Sequence, residues 1–201
     1  MTDIVVRHLE SHEHGPAAAV AARALVDAPT TLAIYGDDPL DRLALPYDDF
    51  SRLFHVLPSP QLGAFCGACP VGVAAVSPPG GCVGSFFAKR AAAVLDRPTP
   101  GIGDPGRAQV FWAHWATRDL DDEHWHVGPV GVEPGFQGRG IGGALLRELC
   151  TIFDGDERVG WLETDKERNI AFYSGFGFDV VETVTILGVP TWFMRRDPGR
   201  R

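Results

Sequence analysis

No run in this sequence is apolar for long enough to cross a bilayer. Its start, Met1-Thr2-Asp3-Ile4, lacks the basic and apolar regions of a secretory signal. A cytoplasmic protein with no membrane partner is therefore expected. Positive charge is also short: 18 Lys and Arg face 26 Asp and Glu, a net charge of −8. That balance argues against bulk attraction to nucleic acid or to anionic lipid. It leaves room for a local basic site, which Arg139 and Arg147 can supply. Cysteine is scarce, with four residues in 201. Cys66 and Cys69 form one CxxC, which invites a zinc or redox reading, yet no second CxxC or CxxH accompanies it. Cys82 and Cys150 stand alone in the sequence. Reduced thiols in a core or hairpin are expected, and no metal. No internal repeat is found.

What is present suits one globular domain: 201 residues, 45% apolar and 22% charged. We read a single domain over residues 1–196. A basic, mobile tail begins at Arg195 to Asp197 and runs to residue 201. A strand is expected at 4–9 and an alanine-rich helix at 14–26, with Pro16 in its first turn. Residues 30–41 read as irregular. A helix at 47–57 carries Phe50, Leu53, Phe54 and Leu57 on one face. Segments 62–68 and 71–76 read as an antiparallel hairpin turning at Cys69-Pro70. A helix at 86–95 and a Pro/Gly-rich loop or lid at 97–107 fall in an apparent insertion, about 84–110. Residues 111–117 are ambiguous between strand and helix. Then come a strand at 124–132 and a helix at 141–153 with a stripe of Ile141, Leu145, Leu149 and Ile152. A strand at 160–164, a short helix at 167–174 and a strand pair at 178–187 and 191–194 close the chain.

The stretch Gln137-Gly138-Arg139-Gly140-Ile141-Gly142-Gly143 links the strand at 124–132 to the helix that follows. The first amides of a helix have no intrahelical acceptor, and the helix dipole adds partial positive charge there. Glycines let backbone approach a ligand without Cβ clashes. Arg139 adds a fixed cation. This pattern points to the pyrophosphate of a cofactor.

Gly138, Gly140 and Gly143 satisfy the dinucleotide pattern G-x-G-x-x-G, with Glu163 twenty residues on (163 − 143 = 20). Against a nicotinamide enzyme, five residues separate the strand from the first glycine. Too little chain follows to build a doubly wound sheet. The other frame is Gln137-x-x-Gly140-x-Gly142, preceded by Val130-Gly131-Val132 and Pro134. A second block reads Leu162-Glu163-Thr164, Asn169, Phe172-Tyr173, Gly177-Phe178. Together, over residues 124–178, these blocks resemble the two conserved motifs of the GNAT superfamily of N-acetyltransferases, nearest its puromycin-acetyltransferase-like, small-molecule branch. Gly175 departs from the pattern, since relatives often carry a longer side chain there.

The resemblance implies an α/β (α+β) domain. Its sheet is mixed, mostly antiparallel and twisted, with splayed central strands and flanking helices. It implies acetyl transfer from acetyl-CoA to the amine of a small molecule, by direct attack in a ternary complex, in a monomer or homodimer. The pyrophosphate then sits on the amides of Gly138, Arg139, Gly140, Ile141, Gly142 and Gly143, flanked by Gln137. The pantetheine arm pairs with a strand edge, as an added peptide does. Pro129 has no N–H, and Gly128 and Gly131 weaken pairing, so the ladder breaks there and frees backbone of Val130 and Val132. One such amide can stabilise the tetrahedral oxyanion. Tyr173 is the candidate general acid for the departing thiolate. Asn169, four residues earlier on the same helix face, can bond the pantetheine. Glu163 and His126 are both candidates for the base that takes the amine's proton. A non-catalytic acyl-CoA sensor is the alternative, against which Tyr173 counts.

Overall fold

The structure, a computed structural model, describes residues 3–58, 60–104 and 106–200. Met1 and Thr2 of the expected leaderless start, Ser59 in the stop after the second expected helix, Pro105 in the expected loop, and Arg201 lie outside the described residues.

Seven strands form one sheet in the order β1-β2-β3-β4-β5-β7-β6. They are β1 (Ile4–His8), β2 (Leu62–Cys66), β3 (Cys69–Ser77), β4 (His124–Val132), β5 (Val159–Thr164), β6 (Asp179–Ile186) and β7 (Val189–Arg196). Every neighbouring pair is antiparallel except β4 and β5, which run parallel. The seven helices are α1 (His14–Leu25), α2 (Pro29–Tyr35), α3 (Asp41–Val56), α4 (Val83–Leu95), α5 (Gly106–Ala116), α6 (Ile141–Gly155) and α7 (Glu167–Ser174). The mixed, mostly antiparallel sheet with flanking helices is the expected fold class.

Two cores sit on opposite faces of the sheet. On one, Ile141, Leu145, Leu149 and Phe153 of α6 pack on Leu62, Ala74, Trp125, Val127 and Leu162. Ile152, half-buried, packs against this core as expected, and Phe153 extends the α6 stripe into it. On the other face, Ala17, Ala18 and Ala21 of α1 pack on Val73 and Ala75 of β3. Small side chains let α1 lie close to the sheet. Gly131 of β4 is part of that fit: a Cβ there would come within 2.9 Å of the Ala24 Cβ. A side chain at 131 would push the helix off the sheet, which is a stronger reason for glycine than weakened pairing.

Several local expectations change. Residues 30–41 contain α2, a seven-residue helix with Pro29 in its first turn. The helix expected from Tyr47 starts six residues earlier, and Pro46 lies inside α3. Pro46 is the sixth residue of α3; it forfeits the one backbone bond to the Arg42 carbonyl, and the helix continues through it. The hairpin turns at Gly67-Ala68, with Gly67 at φ +63°, so Cys69 and Pro70 already belong to β3. The end of the 97–107 loop and the ambiguous 111–117 segment form α5, which buries Ala108, Phe111, Ala113 and Ala116. β7 extends through Arg195 and Arg196. The Arg196 guanidinium is buried and forks onto both Asp154 carboxylate oxygens at 2.7 and 2.8 Å. Gly199 donates its amide to the same Asp154, so the residues after β7 are tied back to the end of α6.

Among the described residues no single helix is long and apolar enough to cross a membrane.

Candidate active site

The site grows from the one parallel pairing. β4 and β5 are in register from His124–Val159 to Val127–Leu162 and part there. β4 runs on to Val132 along β3, while β5 stays with β7 to Thr164. A shift in the β3–β4 register at Val127 to Val130 brackets Gly128 and Pro129. Pro129 has no N–H to give, so the ladder cannot continue evenly through it. Val130 and Val132 therefore lie on a strand edge that β5 has left, as expected. The strand ends open onto a cleft of about 670 Å³ rimmed by Arg23, Asp27, Pro134, Gln137, Asp165 and Lys166. Arg23 is held there by a forked ion pair to Glu133, at 2.9 Å from Nη2 to Oε2.

The glycine turn sits at one end of this edge. Gly138 and Gly140 have φ of +74° and +79°. An L side chain in that region costs roughly 1–2 kcal/mol. Gly140 is the N-cap of α6, and no side chain caps the helix. Among the described residues no acceptor outside the helix takes the amides of Gly138, Arg139, Gly140, Ile141, Gly142 or Gly143. A Cβ at Gly135, Gly138 or Gly140 would meet nothing within 4 Å. The turn is thus an open cradle of unspent donors on the positive end of a fifteen-residue helix. Gln137 donates Nε2 to the Val132 carbonyl at 3.1 Å, fixing the turn to the end of β4. Arg139 lies over the Phe136 ring and donates to the Gly135 carbonyl at 3.1 Å.

α7 supplies the opposite wall. Tyr173 is buried in edge contacts with Phe172 and Phe178. Burial raises its pKa above the ordinary tyrosine value, with a further push from the Asp165 charge. The hydroxyl thus keeps its proton. Asn169 donates Nδ2 to Thr164 Oγ1 at 3.1 Å, tying α7 to the end of β5. That bond orients the amide and leaves its carbonyl oxygen uncommitted.

Strand alternation puts His124, His126 and Glu163 on the sheet face away from α6. His126 Nε2 is 2.9 Å from Glu163 Oε2. A carboxylate only accepts, so the imidazole donates through Nε2. The two expected base candidates are therefore one unit. Glu163 Oε1 is buried and has no hydrogen-bond partner among the described residues.

Behind this pair stand three residues that sequence reading did not assemble. Cys82 Sγ is 3.0 Å from His126 Nδ1. Asp119 Oδ1 is 3.5 Å from the same nitrogen and 2.9 Å from His124 Nε2. His124 Nδ1 is 2.8 Å from the Asp122 carbonyl, to which it must donate. The charges reinforce one another. Burial disfavours charged His124, but the Asp119 carboxylate outweighs it and holds its pKa up at about 9. Burial likewise opposes charge on His126, and Glu163 and Asp119 raise its pKa well above the ordinary value. The Cys82 thiol, which burial alone would push up, is held down by its histidine neighbours. The one sequence signal for this group was His124-x-His126, which puts two imidazoles on one face of a strand. Nothing in the spacing announces that Cys82 and Asp119 join them.

The Acetyltransferase (GNAT) family profile matches residues 34–178. The N-alpha-acetyltransferase RimI of Mycobacterium tuberculosis is 37% identical over 79 residues, which are 37% of this chain and 50% of that protein. This chain thus spans about half the length of that relative. Among solved structures, a Drosophila melanogaster polyamine N-acetyltransferase superposes with a TM-score of 0.72 at 14% identity, over 97% of this chain and 100% of that one. The PaiA N-acetyltransferase of Thermoplasma acidophilum, solved with coenzyme A, gives 0.59 at 15% identity, over 97% and 99% of the two chains. The two superpositions share this fold, and the family match spans the parted strands, the glycine turn and the whole of α7 with Tyr173. The chain belongs to the GNAT acetyltransferase family.

Proposed function

We propose that this protein transfers the acetyl group of acetyl-CoA to the amine of a small, cationic molecule. The observation that carries the reading is the parting of β4 from β5 after Val127 and Leu162, beside the uncapped start of α6. A peptide-like pantetheine arm adds to the edge at Val130 and Val132. The pyrophosphate lies on the amides from Gly138 to Gly143, with Gln137 and Arg139 at the rim. A Val130 or Val132 amide steadies the oxyanion. The amine nitrogen attacks the thioester carbon, the C–S bond breaks, and Tyr173 gives its proton to the departing thiolate. Asn169 bonds the arm through its free carbonyl oxygen.

Glu163 takes the amine's proton, directly or through water. His126 orients it from behind, and because its Nε2 already donates to Glu163 it offers no basic lone pair there. The buried, unpartnered Oε1 of Glu163 supports this role, since a partnerless buried carboxylate oxygen costs about 1–3 kcal/mol. An ammonium seated against it removes that cost, which favours cationic acceptors.

The test is thiol release from acetyl-CoA with agmatine, polyamines, aminoglycosides and peptides that begin with alanine. Thiol release at a saturable rate with a small cationic amine is expected. Tight CoA binding with no release for any amine supports an acyl-CoA sensor instead.

A further inference from the structure

We propose that Cys82, Asp119, His124 and His126 form a closed, four-ligand site for a divalent metal ion of zinc type. Each offers one donor atom: Sγ, a carboxylate oxygen, Nε2 and Nδ1. These four atoms all lie within 4.8 Å of one another. Bonds of about 2.0–2.3 Å in a tetrahedron put ligand atoms roughly 3.3–3.8 Å apart. The cluster needs only small side-chain shifts to reach that spacing.

The hydrogen bonds around the cluster decide where its lone pairs point. His124 spends its Nδ1–H on the Asp122 carbonyl, so Nε2 is the nitrogen that faces inward. His126 spends its Nε2–H on Glu163, so Nδ1 faces inward. An inward carboxylate oxygen and a sulfur complete the set. A cation seated among these four atoms takes the place of the protons that otherwise bridge them. A backbone carbonyl and a carboxylate behind the two imidazoles are the outer partners that fix metal-bound histidines. A sulfur, two imidazoles and one carboxylate suit zinc and exclude magnesium or calcium.

The location gives the ion a task. Cys82 is the N-cap of α4, and Asp119 follows the end of α5 by three residues. α4 and α5 pack on each other through Ala91 and Ala113. The chain therefore leaves the sheet for this helical pair at Cys82 and returns at Asp119. An ion bound to both, and to two histidines of β4, clamps the two ends of the insertion to the central sheet. Four protein ligands leave no open position, so the ion is structural and the acetyl-transfer step stays with the residues named above. The sequence reading expected no metal because it looked for a second CxxC; here Cys82 and Asp119 come singly and the other two ligands are histidines of β4.

The experiment uses the full chain, expressed without a histidine tag and purified with a chelator wash. Elemental analysis is expected to find about one zinc per chain, falling at least tenfold in His124→Ala and unchanged in Cys69→Ser, an exposed cysteine outside the cluster. Stripped protein titrated with cobalt(II) chloride should show the visible bands of a tetrahedral ion and a thiolate charge-transfer band, the latter lost in Cys82→Ser. Stripping should also speed proteolysis within 83–118 while 124–178 stays protected. The cobalt titration needs no variant, so a misfolded mutant does not blunt the test. Less than a tenth of an equivalent of zinc together with no tetrahedral cobalt spectrum overturns the proposal. So does zinc content that His124→Ala leaves unchanged.

Discussion

The segment from β4 to α7 and the segment from α4 to α5 meet at the histidines of β4, yet they differ in how the chain specifies them. In the first, the functional groups lie close in sequence: a strand, a turn, a helix, a strand and a helix. Backbone supplies the exposed groups: uncapped amides at the start of α6 and an edge at Val130 and Val132 that β5 has left. In the second, single side chains matter: Cys82 and Asp119 lie 37 positions apart (119 − 82 = 37) and meet only because α4 folds back along α5. Local backbone chemistry leaves a compact signature. A side-chain cluster built by long-range return does not.

The largest expected effect tests whether the local segment holds the chemistry. Tyr173→Phe should lower kcat by about 10²-fold or more, the usual weight of a positioned acid, with CoA affinity little changed. A variant that turns over normally removes the tyrosine from the reaction, whatever its place in the fold. Glu163→Gln should reduce kcat/KM for cationic amines by roughly 10²-fold with little change in CoA binding, measured by initial rates against acceptor concentration. If neutral and cationic acceptors suffer alike, Glu163 is not seating a cation.

A smaller effect bears on backbone recognition. Gly140→Val should weaken CoA binding about tenfold or more by titration calorimetry, because its side chain enters the open cradle. Gly135→Ala, which is also open but off the amide row, should change affinity little. Equal losses from both would mean that the turn is sensitive in general and not a phosphate seat. Smaller again is Gly131→Ala, whose Cβ meets Ala24 at 2.9 Å and should cost about 1–3 kcal/mol in denaturant unfolding. A neutral result would show that α1 can shift away from β4 freely.

The smallest effect lies in the N-terminal part. Arg7 forks onto Glu13 at 2.6 and 2.8 Å and holds its carboxyl at about 2, below its ordinary 4.5. A depressed folded pKa contributes stability that is full above the unfolded value. It is lost as pH falls from about 4.5 to about 2. Glu13→Gln should flatten that part of the stability-versus-pH curve, followed by thermal melts. An unchanged curve would mean that the pair is screened by solvent.

The glycine turn and the Leu162 to Phe178 block were legible because each is a contiguous pattern tied to one element boundary. α6 was legible because Ile141, Leu145 and Leu149 repeat at helical spacing. α2 was missed because seven residues give too few turns for a period to show. α3 was cut short because the apolar face that marks it begins only at Phe50, while its first turns are largely exposed. α5 was left open because its tryptophans fit strand or helix equally, and only packing of Phe111, Ala113 and Ala116 decides.

By itself the sequence determined the family fold, the open glycine turn before α6 and the placing of Asn169 and Tyr173 on one helix. Those depend on local backbone geometry and short-period burial, which a linear pattern records. The tertiary structure alone decided that His126 and Glu163 are one unit and that Cys82 and Asp119 close around the two histidines. The reason is physical: side chains 37 or more positions apart interact through distance in space, and that distance is set by how α4, α5 and β4 pack.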